Sequence, residues 1–222
     1  MKWLIVNGDD FGASPGINRG ILEAHHDGIL TSTSLLVHRA ASFAATVAAR
    51  SCPDLSVGLH LELGAGERAH RIREQLDEQL DRFLEFLGGP PTHVDSHHDV
   101  HRDPRIAAPV RAWAEQHGLP IRGFSAARHL SRFYGRWGGC SHPERIGVAG
   151  LLALVDAEVG EGVTELSCHP GYVEPEFVTS YAAEREIELR TLCSVEARQG
   201  LRARDIHLIG FRDMPAEAAS VS

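Results

Sequence analysis

Cysteine is scarce and scattered in this chain. Its four residues, Cys52, Cys140, Cys168 and Cys193, form no Cys-x-x-Cys pair. A closed structural zinc site built on cysteines is therefore excluded, and free thiols in a reducing compartment are the expectation. No apolar run approaches the length of a membrane span. The N-terminal run, Trp3 to Val6, is far too short for a signal peptide and stops at two aspartates. A cytoplasmic protein is expected. Positive charge is in the minority, with 22 Lys and Arg against 30 Asp and Glu, a net charge of −8, which argues against nucleic acid or an anionic membrane as partner. The chain also lacks a Gly-rich dinucleotide turn, an internal repeat, a low-complexity block and a linker. What remains is ordinary for a globular protein: 222 residues, 43% hydrophobic and 23% charged, enough for one large domain or one α/β barrel. Histidine is the excess. Fourteen in one chain, many of them clustered, suggest metal or proton chemistry.

Strand-like and helix-like segments alternate along the whole length. Trp3–Val6 reads as a strand running into the acidic turn Asn7-Gly8-Asp9-Asp10-Phe11-Gly12. Ser14 and Pro15 are placed to start a helix ended by Gly28. Thr31–Val37, Leu55–His60, Thr92–Asp95, Val163–Cys168 and Asp205–Phe211 read as strands, with a weak one near Pro120–Gly123. Ala40–Arg50, Pro104–His117, Glu144–Val159 and Ala182–Gln199 read as helices. So does the segment whose stripe is Ile72, Leu76, Leu80, Phe83, Leu84 and Leu87. Ser125–Pro143 reads as one long loop. The alternation predicts a parallel sheet with crossover helices, a TIM-like (β/α) barrel of about seven strands, closed or incompletely closed. One barrel domain over residues 1–215 and a flexible tail over 216–222 are expected.

Asp9 and Asp10 then end the first strand, His60 the third, Asp95, His97, His98 and His101 the fourth, and His169 the sixth. These are the C-terminal strand ends, where parallel barrels gather their active sites. Successive residues of an extended chain point opposite ways, so the two adjacent aspartates are expected to face different directions. One carboxylate and two imidazoles, with positions left for water and substrate, suit a divalent metal of catalytic type.

The motifs Asn7-Gly8-Asp9-Asp10-Phe11-Gly12, Gly58-Leu59-His60-Leu61, Asp95-Ser96-His97-His98-Asp99-Val100-His101 and Cys168-His169-Pro170-Gly171, with Thr31-Ser32-Thr33-Ser34, resemble those of the YdjC-like carbohydrate deacetylases, a group that includes chitooligosaccharide and hopanoid-associated deacetylases. The resemblance runs from Lys2 to about Leu192. It implies a TIM-like barrel, one divalent metal ion (Mg, Zn, Mn or Co) and hydrolysis of the acetyl group of an N-acetylated sugar. Carried over motif by motif, Asp10, His60 and His97 match the metal ligands, Asp9 the base that activates water and His169 the acid. Gly8 stands where the family usually has Ala, and Asp99 where it usually has His. The stretch between His60 and Asp95, which helps shape the substrate cleft, is short beside the chitooligosaccharide enzymes.

Amide hydrolysis needs a nucleophile, a polarised carbonyl, a place for the oxyanion and a proton for the leaving nitrogen. The metal supplies the second and third, Asp9 and His169 the proton steps. Tyr134 and Trp137, on the aromatic loop, are candidates to stack on a sugar face. Arg185 is a further substrate-contact candidate, although with Glu186 it also reads as a surface ion pair. Asp95, His98 and His101 are candidates to support the metal ligands from behind. Two other classes stay open: a glycosidase using a carboxylate pair such as Asp9 with Glu62 or Asp95, which would survive chelation, and a non-catalytic metal- or sugar-binding barrel, which would release no acetate. A homodimer is a further open expectation.

Overall fold

The computed structural model describes residues 1–64 and 69–215; the tail expected over 216–222 lies outside them. Strand β1 (Lys2–Phe11) leads to helix α1 (Pro15–His26), capped by Ser14, whose hydroxyl accepts from the Ile17 amide at 3.2 Å. Then come β2 (Ser32–Leu35), α2 (Ser42–Ala49), β3 (Ser56–Leu61), α3 (Ala69–Leu87) and β4 (Val94–Ser96). A 3-10 segment, His97–Arg102, precedes α4 (Ala107–Gln116). After β5 (Arg128–Leu130) and a two-stranded hairpin, β6 (Arg136–Trp137) with β7 (Cys140–Ser141), the chain continues through α5 (Pro143–Ile146), α6 (Val148–Glu158), β8 (Gly162–Cys168), α7 (Ala182–Leu192), α8 (Val195–Arg202) and β9 (Ile206–Leu208).

Seven strands form one parallel sheet in the order β4-β3-β2-β1-β8-β5, with β9 beside the first residues of β1. A lone parallel bridge, Val94 to Ile121, extends the β4 edge. Among the described residues no ladder joins that bridge to β5, so the barrel is incompletely closed. The apolar side chains of α1 and α3 pack on the outer face of the curl with Leu4, Val6, Leu59, Val94 and Leu166. No described helix is long and apolar enough to cross a membrane.

Several element boundaries differ from the sequence reading, each for a local reason. The segment 120–123 is only a bridge, and the sheet's strand lies further on, at Arg128–Leu130, inside the expected loop. That strand is three residues long and starts with two polar side chains, too short to show a period. Glu144–Val159 is two helices, broken where Gly147 is extended (φ −77°, ψ 171°). Ala182–Gln199 is also two helices, because Ser194 caps the second by accepting from the Ala197 amide at 2.9 Å. Leu84 leaves the buried stripe of α3 and is exposed.

The inside of the curl is layered. At the bottom, Ile5, Ala127, Val163 and Phe211 form a small apolar plug, and the His93 ring stacks on Phe211 with centroids 3.8 Å apart. A Cβ at Gly58 would come within 2.4 Å of that ring, so the motif glycine is needed for close approach. Above the plug the inward positions turn polar and stay buried: Asn7, Ser34, Asp95, Arg122 and Glu165. Above these lies the rim.

Candidate active site

Parallel register assembles the rim. His60 pairs with Asp95 across β3 and β4, so both side chains share the inner face, and His60 Nδ1 lies 2.7 Å from Asp95 Oδ1. The Ser34 hydroxyl lies 3.1 Å from the same nitrogen. His60 Nε2 is thereby turned upward, 3.4 Å from Asp10 Oδ1, and His97 Nδ1 approaches that oxygen at 3.1 Å. One ligand atom from each of Asp10, His60 and His97 lies within 4.8 Å of the others.

Asp9 and Asp10 do not end β1, which runs on to Phe11. Nor do they face away from one another. The register between β1 and β2 shifts between Gly8 and Phe11, and Asp10 takes a left-handed φ of 71°. The bulge cancels the ordinary alternation, and both carboxylates line one cavity of about 580 Å³. A left-handed non-glycine residue is strained, as is common where a side chain is aimed at a function. His98 (φ 59°) and Asp99 (φ 52°) are left-handed too, turning the chain sharply just after His97.

The two carboxylates have different partners. Asp9 is held by Arg122, with Nη1 to Oδ2 and Nη2 to Oδ1 both at 2.7 Å, and accepts from Asn7 Nδ2 at 2.8 Å. Burial pushes the Asp9 carboxyl up, and the Arg122 charge and hydrogen bonds together with the His60 charge outweigh it, leaving the group below the usual carboxylate range. Asp10 Oδ2 accepts from Arg185 Nη2. Its burial is outweighed by the bonds to His60 and His97 and by the Arg185 charge, so it lies well below that range. Arg122 also reaches Asp95 Oδ2 and Glu165 Oε1, each at 2.7 Å. Burial pushes the Glu165 carboxyl up to about 7 despite that contact.

His169, just past β8, faces Asp9 across the cavity, Nε2 lying 3.9 Å from Asp9 Oδ2. Burial pushes its pKa down, so the ring rests neutral near pH 7. Tyr134 and Tyr181 both line the cavity; their rings stack on one another with centroids 4.5 Å apart and present their edges to the His169 ring.

Other expected residues fall as follows. Asp95 binds behind His60. His98 lines the cavity beside His97, its pKa lowered by burial and by the His97 charge. His101 is buried away from the cavity, between the Ser96 hydroxyl at 2.6 Å and the Arg122 carbonyl at 3.0 Å, where it fixes the turn that carries His97. Arg185 is buried and lines the cavity, so the surface pair with Glu186 does not form; Glu186 instead meets Arg190 at 3.7 Å. Trp137 is not among the cavity's lining residues: it sits on the β6–β7 hairpin, stacked on His142 with centroids 3.6 Å apart. Glu62 pairs with Arg39 and is not part of a carboxylate pair with Asp9.

The sequence alone does not single out Arg122, Glu165, Tyr181 and Glu188. Glu165 carried a usable signal, a carboxylate inside an apolar strand, which must find a partner. Arg122 follows the Ile121 bridge, but Pro120–Gly123 reads only as a weak strand, and nothing within it marks an inward-facing charge.

The donor set at the rim fits a divalent ion. It offers one carboxylate oxygen and two imidazole nitrogens, with Asp95 orienting His60 from behind, and leaves room in the cavity for further ligands. Fold and rim together define an incompletely closed (β/α) barrel with a rim that could hold a divalent ion. The chain belongs to the YdjC-like protein family, whose model matches residues 3–203. It is 32% identical to a carbohydrate deacetylase of Geobacillus stearothermophilus, over 96% of this chain and 98% of that one. It is also 32% identical to a chitooligosaccharide deacetylase of Serratia marcescens, over 95% and 99%. A solved structure from Enterococcus faecalis V583, named for cellobiose-phosphate cleavage, superposes with a TM-score of 0.82 at 26% identity, covering 95% of this chain and 97% of that one.

Proposed function

We propose that this protein is a metal-dependent carbohydrate deacetylase that hydrolyses the amide of an N-acetylated sugar. The observation that carries this is the convergence of Asp10, His60 and His97 in the same cavity that Asp9 and His169 line from another side. The relatives named as carbohydrate and chitooligosaccharide deacetylases, matched over nearly their whole length, support the same reading.

Asp10, His60 and His97 would hold the ion. When bound, it supplies Lewis-acid polarisation of the acetyl carbonyl and lowers the pKa of water. Asp9 takes a proton from the attacking water. Arg122 fixes the Asp9 carboxylate in one orientation, and its charge keeps Asp9 ionised, ready to accept. From Asp9 the proton is relayed to His169 Nε2, 3.9 Å away, through one bridging water. His169 then delivers it to the departing sugar nitrogen. One proton thus serves both steps, and a resting neutral His169 suits the role. Tyr134, Tyr181 and Arg185 offer ring faces and a guanidinium to the sugar. Magnesium is our choice of native ion among Mg, Zn, Mn and Co, and the cytoplasm our choice of compartment.

Acetate release from a panel of N-acetylated mono- and oligosaccharides, with and without chelator, tests the reading. Release that a chelator abolishes and added divalent metal restores is expected. Cleavage of glycosidic bonds that survives chelation would favour a glycosidase, and binding without acetate release a non-catalytic barrel.

A further inference from the structure

The His169 imidazole has no side-chain anchor. Its Nδ1 is buried and makes no hydrogen bond, so nothing polar on the ring fixes its tilt. An imidazole that must meet a nitrogen leaving group is usually oriented by a partner on its second nitrogen. Here the orientation must come from somewhere else.

It comes from α7 and the two tyrosines. The His169 amide donates to Glu188 Oε2, and the His169 carbonyl accepts from Arg185 Nη1 at 3.4 Å. The Gly171 amide donates to the Arg185 carbonyl at 3.3 Å. The other Glu188 oxygen, Oε1, accepts from the Tyr181 hydroxyl at 2.5 Å, and that hydroxyl accepts from the Gly135 amide at 2.7 Å. Tyr181 stacks on Tyr134, and both rings meet the His169 ring edge-on at 5.7 and 6.0 Å. Glu188 is fully buried, and each of its oxygens is used once. One carboxylate therefore fixes both the backbone under His169 and an aromatic wall beside its ring.

We infer that Glu188 is a positioning residue for His169, acting through the His169 amide and the Tyr181 hydroxyl to aim the imidazole at the leaving nitrogen. The inference rests on the deacetylase reading, with His169 as acid. The chemistry suits a carboxyl group. The His169 amide only donates, whereas the Tyr181 hydroxyl, which accepts from Gly135, can donate to the second oxygen or accept from it, so the group serves both neighbours although burial pushes its pKa up to about 8. Glutamine keeps an acceptor for one neighbour but presents an N–H₂ to the other, which reverses the Tyr181 contact and shifts both.

The test uses full-length protein loaded with divalent metal and whichever N-acetylated sugar of the panel above it turns over fastest. Glu188→Gln is expected to lower kcat about 10-fold with KM and metal content nearly unchanged, since misplacing a reacting group by a fraction of an ångström has effects of that order. Tyr181→Phe, which keeps the ring and removes the hydroxyl, should show a smaller loss of the same kind. The decisive comparison is His169→Ala with and without Glu188→Gln. If Glu188 works through His169, the double variant is no slower than His169→Ala alone. Independent, multiplying losses would overturn the inference, as would wild-type kcat in Tyr181→Phe and Glu188→Gln. If Glu188→Gln does not fold, Tyr181→Phe combined with His169→Ala makes the same comparison. A near-normal rate in His169→Ala alone would instead overturn the acid role itself, a different failure with a different signature.

Discussion

Arg122 grips Asp9 with both terminal nitrogens at 2.7 Å, from a segment 113 residues away in sequence. The fork turns a carboxylate beside another carboxylate into a fixed, ionised group. Asp10 has partners of its own, so the two adjacent carboxylates are not driven to protonation by each other.

The same grip makes Arg122 a stability residue. It faces Asp9, Asp95 and Glu165 inside the curl. Arg122→Met leaves Asp9 and Asp95 buried without the guanidinium they share, and urea unfolding should show a loss of about 3–5 kcal/mol. Glu165→Gln should cost under about 1 kcal/mol, because its amide oxygen still accepts from Arg122 Nε and one buried carboxyl is removed. Equal losses in the two variants would contradict this division.

The adjacent aspartates should separate cleanly. Asp9→Asn is expected to keep metal and substrate binding while turnover falls roughly 10²-fold or more, as for a lost base. Asp10→Asn, His60→Ala and His97→Ala should each drop metal content of dialysed protein below one per chain, and added metal should restore some activity to Asp10→Asn only. Swapped phenotypes would make Asp9 the ligand.

Arg185 binds the Asp10 oxygen that the two histidines do not approach. Removing it frees the Asp10 carboxylate to rotate. Arg185→Met should therefore weaken divalent-metal affinity about 10–100-fold, the usual scale for a group that orients a ligand. Titration with metal alone reads this; unchanged affinity with a raised KM would make Arg185 a sugar contact only.

His93 predicts an acid limb of stability. Burial pushes its pKa from 6.5 to about 3. The unfolded chain therefore binds a proton that the folded chain refuses throughout that window. Stability is untouched above pH 6.5 and falls as pH drops towards 3, by up to about 1.4 kcal/mol per pH unit from this group. His93→Phe keeps a ring on Gly58 and Phe211 and should flatten that limb relative to wild type in urea unfolding at pH 7, 6, 5 and 4. Parallel curves would show that His93 does not set it.

By itself the sequence determined the alternation behind the sheet and the candidates at its rim. Alternating strand and helix patterns are local, so Asp9, Asp10, His60, Asp95, His97 and His169 could be gathered on one rim by their positions near strand ends, and the family resemblance singled out Asp10, His60 and His97 among them as candidate ligands. Tertiary structure alone decided how Asp9 and Asp10 share that rim. Alternation predicts opposite directions, whereas a bulge and a left-handed Asp10 turn both into one cavity. It alone brought in Arg122 and Glu188, because a buried charge is explained only by the partners it meets, and Asp9 and His169 reach them from other elements of the chain; Tyr181 came in with Glu188. It alone moved Trp137 out to the hairpin and Arg185 in to Asp10. An aromatic or an arginine reads the same in sequence whether packing turns it toward a cavity or toward solvent.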